Sequence, residues 1–252
     1  MSDTSNGESR WLLCRRRRLD AAPRLYCLPH SGGSAGEFLF WSDAIPDIEV
    51  WGLQLPGHGD RRIEPPLTTM PQAVAAIADS VRFVPPYALF GHSLGAAIGY
   101  ELALELRARG GPLPERLYVS SREPPHRHNP DAGLLSLTDG ELLEELGQQY
   151  GDIPGELADD PDWRALVLES LRADLAIVGG YQPSAAPPLP FPIVAMGGRC
   201  DPTVSEEDLC AWDSYTTGTF SLRMFAGGHF YFREQDNDIH RYFAADLARA
   251  AR

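Results

Sequence analysis

A serine-centred pentapeptide constrains this chain more than any other feature. Residues 91–95 read Gly-His-Ser-Leu-Gly, which matches the pattern G-x-S-x-G. A short apolar segment at 87–90 precedes them, and residues 95–109 carry apolar side chains at helical spacing. In that context the serine occupies a sharp turn from strand to helix, and its hydroxyl projects from the strand end. We predict that Ser93 is a nucleophile; the alternative is a purely structural turn.

Apolar segments of strand length alternate with helical patterns along the chain. The other strand-like segments lie at 11–14, 25–28, 50–53, 117–119, 193–196 and 220–225. Helical periodicity is present at 70–84, 95–109 and 239–251. Such alternation is typical of a mostly parallel sheet with helices on both faces. Together with the serine turn it predicts an α/β-hydrolase fold, built as a single domain over residues 1–252.

One region interrupts the alternation. Residues 129–181 hold no strong strand pattern but two helical ones, at 138–150 and 161–179. Residues 129–162 include ten acidic side chains and no basic one. Because a single crossover needs far fewer residues, we predict an inserted helical lid. Two ordinary crossover helices with a solvated acidic face are the alternative.

A serine hydroxyl is a weak nucleophile, so it needs a base whose imidazole is oriented by a carboxylate. In this fold the three residues follow the order serine, acid, histidine. His229 is the predicted base because it follows the last strand-like segment and two glycines, which allow a tight loop over the sheet edge. Asp201 follows the segment at 193–196 and is the predicted acid, with a capping role beside Pro202 as the alternative. The rival candidates are predicted to lie on helix surfaces: Asp208, Asp213 and His240.

The oxyanion of an acyl-transfer intermediate needs two backbone N–H donors. One is predicted to be the amide of Leu94, the residue after the nucleophile. The second should come from the loop after an early strand, where residues 29–33 read Pro-His-Ser-Gly-Gly. We assign it to the amide of Ser31.

Composition narrows the function and location. The formal net charge of −13 argues against binding to nucleic acids or to anionic membranes. No apolar run approaches the roughly 20 residues of a membrane span. The first ten residues are polar and show no secretory signal, and the four cysteines have no metal-binding spacing. We therefore expect a cytoplasmic protein with reduced thiols and no metal. The predicted chemistry requires no organic cofactor, and the sequence shows no obvious exposed apolar stripe, so we expect a monomer.

The motifs, in their order along the chain, resemble the stand-alone type II thioesterases of polyketide and nonribosomal peptide assembly lines. Besides the serine pentapeptide, the resemblance rests on short motifs spread over nearly the whole chain, at 28–35, 54–62, 171–174, 198–202, 211–212 and 225–230. The pentapeptide alone is generic to hydrolases, whereas the ordered set is specific. One position departs: the family often has arginine where this chain has His58.

The resemblance implies hydrolysis of acyl thioesters on the phosphopantetheine arm of acyl or peptidyl carrier proteins, for editing or release. It places the triad at Ser93, Asp201 and His229, and the oxyanion amides at Ser31 and Leu94. Carrier proteins are acidic, as this chain is, so docking would use local arginines at 15–18 or at 61–62, or apolar contact. The alternatives are a general carboxylesterase acting on small oxygen esters, an acyltransferase, and a non-catalytic hydrolase-fold binding module.

Overall fold

The computed structural model describes residues 10–18, 23–129, 133–150, 161–234 and 238–250. Its strands are β1 (Leu12–Leu13), β2 (Arg24–Leu28), β3 (Glu49–Leu53), β4 (Tyr87–His92), β5 (Arg116–Ser120), β6 (Ile193–Gly198) and β7 (Phe220–Phe225). Its α-helices are α1 (Gly36–Leu39), α2 (Trp41–Ala44), α3 (Met70–Ser80), α4 (Leu94–Ala108), α5 (Asp139–Tyr150), α6 (Pro161–Gly179), α7 (Glu206–Cys210) and α8 (Ile239–Ala250). In the described part of the chain, the strands form one sheet in the order β1-β3-β2-β4-β5-β6-β7.

The sheet is parallel except at its β1 edge. β1 pairs antiparallel with β3, and each later neighbour pairs parallel. The predicted mostly parallel sheet is therefore confirmed. The predicted strand at 11–14 is shorter than expected, since only Leu12 and Leu13 pair with β3.

Both faces of the sheet are covered by helices. Successive side chains of a strand point to opposite faces, so a strand buried on both faces carries an apolar run. In β4, Leu89 packs into a cluster that includes residues of α3 and α4, such as Ile77. Its neighbour Phe90 packs into the opposite cluster, which includes residues of α1, α2 and α8. The predicted two-sided packing is confirmed.

Helices α5 and α6 lie between β5 and β6 along the chain. They correspond to the two helical patterns predicted at 138–150 and 161–179. Residues 130–132 and 151–160 of this segment lie outside the described residues. In the portions that the structure describes, no helix combines the length and the apolar character needed to cross a membrane.

Two expectations about surface groups are wrong. Arg61 cannot belong to an exposed docking cluster because it is only 5% exposed and bonds to Glu64 and to the carbonyl oxygen of Gln54. His240 lies on α8 as predicted but is not a solvated surface residue, because its ring packs 5.2 Å from that of Trp41. Burial also holds the pKa of His240 below its ordinary value.

The arginines at 15–18 lie after β1, and acidic partners of the same chain pair with several of them. Arg16 lies 2.5 Å from a carboxylate oxygen of Asp43, and the guanidinium of Arg17 stacks over the ring of Trp51. Their positive charge is therefore partly compensated within the molecule.

Candidate active site

Ser93 lies between β4 and α4 with φ 53° and ψ −116°. This left-handed backbone is strained for a residue with a side chain, and it lifts the hydroxyl above the strand end. The Ser93 amide donates to the carbonyl oxygen of Ser120 on β5 at 2.8 Å, which ties the turn to the sheet. A Cβ at Gly91 or at Gly95 would collide with backbone, so glycine is required two residues before and two after the serine.

Asp201 and His229 lie on the loops that follow β6 and β7, at the same edge of the sheet as Ser93. The Nδ1 atom of His229 is 2.9 Å from Oδ2 of Asp201, and the two side chains are 4% and 1% exposed. With Nδ1–H donating to the carboxylate, the lone pair on Nε2 is left to accept a proton.

Thr203 also donates hydrogen bonds to the carboxylate of Asp201. Both its amide, at 2.9 Å, and its hydroxyl, at 2.8 Å, donate to Oδ1 of Asp201. Burial by itself raises the pKa of Asp201, but the hydrogen bond and charge of His229 and the two donors of Thr203 bring that pKa down to about 2. The carboxylate is thus ionised at neutral pH, as an orienting acid must be.

Ser93 and His229 line one cavity of about 840 Å³. Within the described residues, these two side chains make no hydrogen bond to each other. Catalytic hydrogen bonds are often long before substrate binds, so this separation is compatible with a nucleophile and its base. Behind them lies His92, which is fully buried, and this burial is the largest cause that holds the pKa of His92 well below its ordinary value.

The predicted oxyanion donors belong to two different segments of the chain. Ser31 lines the cavity in a turn closed by the amide of Gly33, which donates to the carbonyl oxygen of His30 at 2.9 Å. Leu94 is the first residue of α4, where an amide has no acceptor within its own helix. The dipole of a helix N-terminus also favours negative charge at this place.

The segment between β5 and β6 contributes much of the cavity wall. Its apolar lining side chains are Leu134, Leu143, Leu146, Val167, Leu171, Leu175 and Val178. Helix periodicity predicts that α5 and α6 have apolar faces, but not that these faces meet over the serine.

Several polar residues of the site were not predicted from the sequence. Thr203 stands two residues after Asp201, and this spacing is the usual signal of a local side-chain turn. Arg122, Glu123 and His128 form a hydrogen-bonded group in the cavity wall, with Nη2 of Arg122 2.8 Å from Nδ1 of His128. No sequence pattern indicated this group.

Comparisons with known proteins agree with the fold. A family model described as Thioesterase domain matches residues 23–246. The gramicidin S biosynthesis protein GrsT of Aneurinibacillus migulanus is 34% identical over 242 residues, which are 95% of this chain and 94% of that protein. Thioesterase PikA5 of Streptomyces venezuelae is 37% identical over 88% of this chain and 82% of that protein.

Solved structures give the same result. The type II thioesterase BorB from the borrelidin biosynthetic cluster matches with a TM-score of 0.85 and 33% identity over 96% of this chain and 99% of BorB. RedJ, a thioesterase of the prodiginine pathway in Streptomyces coelicolor, matches with a TM-score of 0.82 and 35% identity over 91% of this chain and 86% of RedJ. The architecture is therefore that of the α/β-hydrolases, as predicted. Within that class, the chain belongs to the thioesterase family, and the predicted resemblance to type II thioesterases is confirmed.

Proposed function

We propose that this protein is a serine thioesterase that removes acyl groups from the phosphopantetheine arm of acyl or peptidyl carrier proteins, for editing or release in polyketide or nonribosomal peptide synthesis. The observation that carries the proposal is the shared cavity: Ser93, His229 and the Ser31 loop border it, and apolar side chains form much of its wall. An acyl chain needs an apolar pocket next to the nucleophile, and this cavity supplies one.

In the first half-reaction, His229 Nε2 accepts the hydroxyl proton of Ser93 while Oγ attacks the thioester carbonyl carbon. The amides of Ser31 and Leu94 donate to the oxyanion of the tetrahedral intermediate. When that intermediate collapses, the C–S bond breaks and the pantetheine thiol leaves with the proton from His229. The acyl group is then an ester of Ser93.

The second half-reaction returns the enzyme to its starting state. His229 takes a proton from water as the water oxygen attacks the acyl-enzyme. Collapse of the second intermediate returns the proton to Ser93 Oγ and releases the carboxylic acid. Asp201 keeps its negative charge throughout and stabilises the imidazolium of His229, as its low pKa of about 2 allows.

We assign helices α5 and α6 the role of a lid over the acyl chain. Support comes from the six aliphatic residues that these two helices contribute to the cavity wall. A cover of this kind excludes water from the pocket and limits the size of the acyl group. The predicted lid at 129–181 is retained in this form.

A cytoplasmic location is also part of the proposal. All four cysteines are free thiols: Cys14, Cys27, Cys200 and Cys210. Free thiols persist in the reducing cytoplasm, where carrier-bound synthesis supplies the proposed substrate.

The decisive experiment is hydrolysis of an acyl-phosphopantetheinyl carrier protein, followed by free thiol and by intact-protein mass. The wild-type protein should deacylate the carrier, and Ser93→Ala should lose up to about 10⁶-fold in kcat. Ser34→Ala is the matched control, because Ser34 lines the same cavity but has no assigned chemistry. Equal activity of the wild type and Ser93→Ala would refute the assignment of the nucleophile.

Matched oxygen esters separate thioesterase from carboxylesterase. Pantetheine thioesters and oxygen esters that carry the same acyl group should be compared by kcat/KM. A preference for the oxygen ester, with the acylated carrier left intact over several acyl groups, would keep the triad and move the function to a general carboxylesterase.

A further inference from the structure

A single carboxylate on helix α6 joins two distant loops next to the active site. Oδ2 of Asp174 accepts the amide proton of Gly32 at 2.7 Å and lies 2.9 Å from Nε2 of His58. The side chains of Asp174 and His58 are 2% and 4% exposed. Gly32 belongs to the loop after β2 and His58 to the loop after β3, so the contact ties both loops to α6.

The ring of His58 faces an acceptor at each nitrogen. Nδ1 is 3.0 Å from the carbonyl oxygen of Pro56, which can only accept, so Nδ1 carries a hydrogen. Nε2 faces the carboxylate of Asp174 and therefore carries one as well. Burial lowers the pKa of His58, but the hydrogen bond and charge of Asp174 outweigh burial, and the net shift is upward. Imidazolium and carboxylate thus form a buried ion pair.

This pair holds the backbone on one side of Ser31. The peptide between Ser31 and Gly32 is held at both ends, since the Ser31 carbonyl oxygen lies 2.8 Å from Nδ1 of His30 and the Gly32 amide donates to Asp174. The preceding peptide joins the carbonyl group of His30 to the amide of Ser31. The Gly33 amide donates to that carbonyl oxygen and so holds this peptide in place. Both peptide planes that flank the α-carbon of Ser31 are therefore fixed.

We propose that Asp174, held between the Gly32 amide and the ring of His58, is a positioning residue that aims the Ser31 amide at the oxyanion. The inference rests on the proposed function only in assigning the Ser31 amide to the oxyanion. It goes beyond that function because helix α6, which lines the acyl cavity, then also helps to position an amide of the oxyanion site. Leu171, one turn before Asp174, reinforces the link, because its side chain comes within 3.4 Å of where a Cβ on Gly32 would lie.

A matched control is available on the same helix. The hydroxyl of Ser170 donates to the carbonyl oxygen of Gly57 and so ties α6 to the loop after β3 without touching Gly32. Ser170→Ala therefore removes an anchor of α6 but leaves the Asp174 contact to the Ser31 turn intact. The activity of Ser170→Ala therefore shows how much kcat changes when α6 is less firmly anchored but still contacts Gly32.

The test uses the full chain and p-nitrophenyl butyrate, whose hydrolysis needs the nucleophile and the oxyanion site but no carrier protein. For Asp174→Ala and His58→Leu we expect kcat to fall about 10²–10³-fold, the range for loss of one oxyanion donor, with KM changed less than about threefold. The affinity for an alkylboronic acid, which forms a tetrahedral adduct on serine, should fall in parallel. Asp174→Asn, which keeps the shape of the side chain, should lose kcat with a smaller change in thermal stability.

Rescue distinguishes positioning by the ion pair from simple packing. His58→Arg restores a cation with planar donors toward Asp174, so it should recover most of the kcat that His58→Leu loses. Ser170→Ala should lower the melting temperature and keep kcat near wild type. The proposal is overturned if His58→Arg is as impaired as His58→Leu, if kcat of the Asp174 variants stays near wild type, or if Ser170→Ala loses as much kcat as Asp174→Ala.

Failure of the thioesterase proposal would be a separate result. It would show as an intact acylated carrier protein beside normal, Ser93-dependent hydrolysis of p-nitrophenyl butyrate. The positioning test would then still give its answer on the oxygen ester.

Discussion

Gly95, in the first turn of α4, lies directly against the carbonyl oxygen of Leu28 at the end of β2. Leu28 leads into the loop that carries Ser31. Gly95 is the last residue of the strand-to-helix turn at 91–95, here called the elbow, which also carries Ser93 and Leu94. The close contact of these two backbones therefore brings the two proposed oxyanion amides to one place. An oxyanion site needs that convergence, because both donors must reach the same substrate oxygen.

Replacement of Gly95 by alanine should damage both fold and activity. A Cβ there would overlap the Leu28 backbone, so Gly95→Ala should lower the free energy of unfolding by about 3 kcal/mol or more. Gly99→Ala on the same helix is the control, because its Cβ would meet side-chain atoms at ordinary distances of 3.5 and 3.8 Å. Chemical denaturation measures both, and equal stability of the two variants would contradict the close-contact argument.

The assignment of the acid predicts a large catalytic loss without loss of fold. Asp201→Asn puts an amide in place of the carboxylate that orients Nδ1 of His229 at 2.9 Å. The imidazole then adopts the wrong tautomer, and kcat should fall by about 10⁴-fold. Steady-state kinetics on a pantetheine thioester, with circular dichroism to verify folding, tests this.

Asp213→Asn serves as the control for that variant. Asp213 was a rival acid on sequence grounds, and the structure places it, exposed, on a 3₁₀ turn before β7. Its variant should keep wild-type kcat. A reversed result, with Asp213→Asn inactive and Asp201→Asn active, would remove Asp201 from the triad.

The local parts of the structure are the parts that sequence reasoning predicted. The elbow at 91–95 is a contiguous pattern, and the two helices between β5 and β6 are periodic over more than two turns each. Patterns of this kind report the backbone conformation of neighbouring residues, because periodicity is a property of one segment.

The contacts of Asp174 could not be predicted from the sequence. Residues 171–174 were recognised as a family mark, yet the partners of Asp174 lie 142 positions away at Gly32 and 116 away at His58. Periodicity carries no information about pairs so far apart. His58 accordingly stood out only as a departure from the family pattern, and its buried ion pair became visible only in three dimensions.

The apolar cavity predicts which acyl groups the enzyme accepts. Leu146 on α5 lines the cavity, so Leu146→Trp should shorten it and spare small substrates. Losing the burial of two methylenes costs about 1.6 kcal/mol, roughly tenfold in kcat/KM. The ratio of dodecanoyl to acetyl pantetheine hydrolysis should therefore fall by at least about tenfold.

Glu144→Trp provides the control for added bulk on the same helix. Glu144 is exposed and is not among the residues that line the cavity. Its variant should leave the ratio of the two substrates unchanged. An equal shift in both variants would mean that α5 does not limit chain length through Leu146.

The ion pair of His58 and Asp174 predicts a pH-dependent contribution to stability. The folded-state pKa of His58 lies above its ordinary value of 6.5, because the favourable contact with Asp174 outweighs burial. A raised pKa contributes stability that is fully present below the unfolded pKa and is lost as pH rises through the folded pKa.

His58→Gln removes this contribution to stability. The gap in unfolding free energy between wild type and variant should therefore be larger at about pH 6 than at about pH 9. Urea unfolding at both pH values measures the gap. A gap for His58→Gln that stays constant or widens as pH rises would show that His58 is not held as an imidazolium by Asp174.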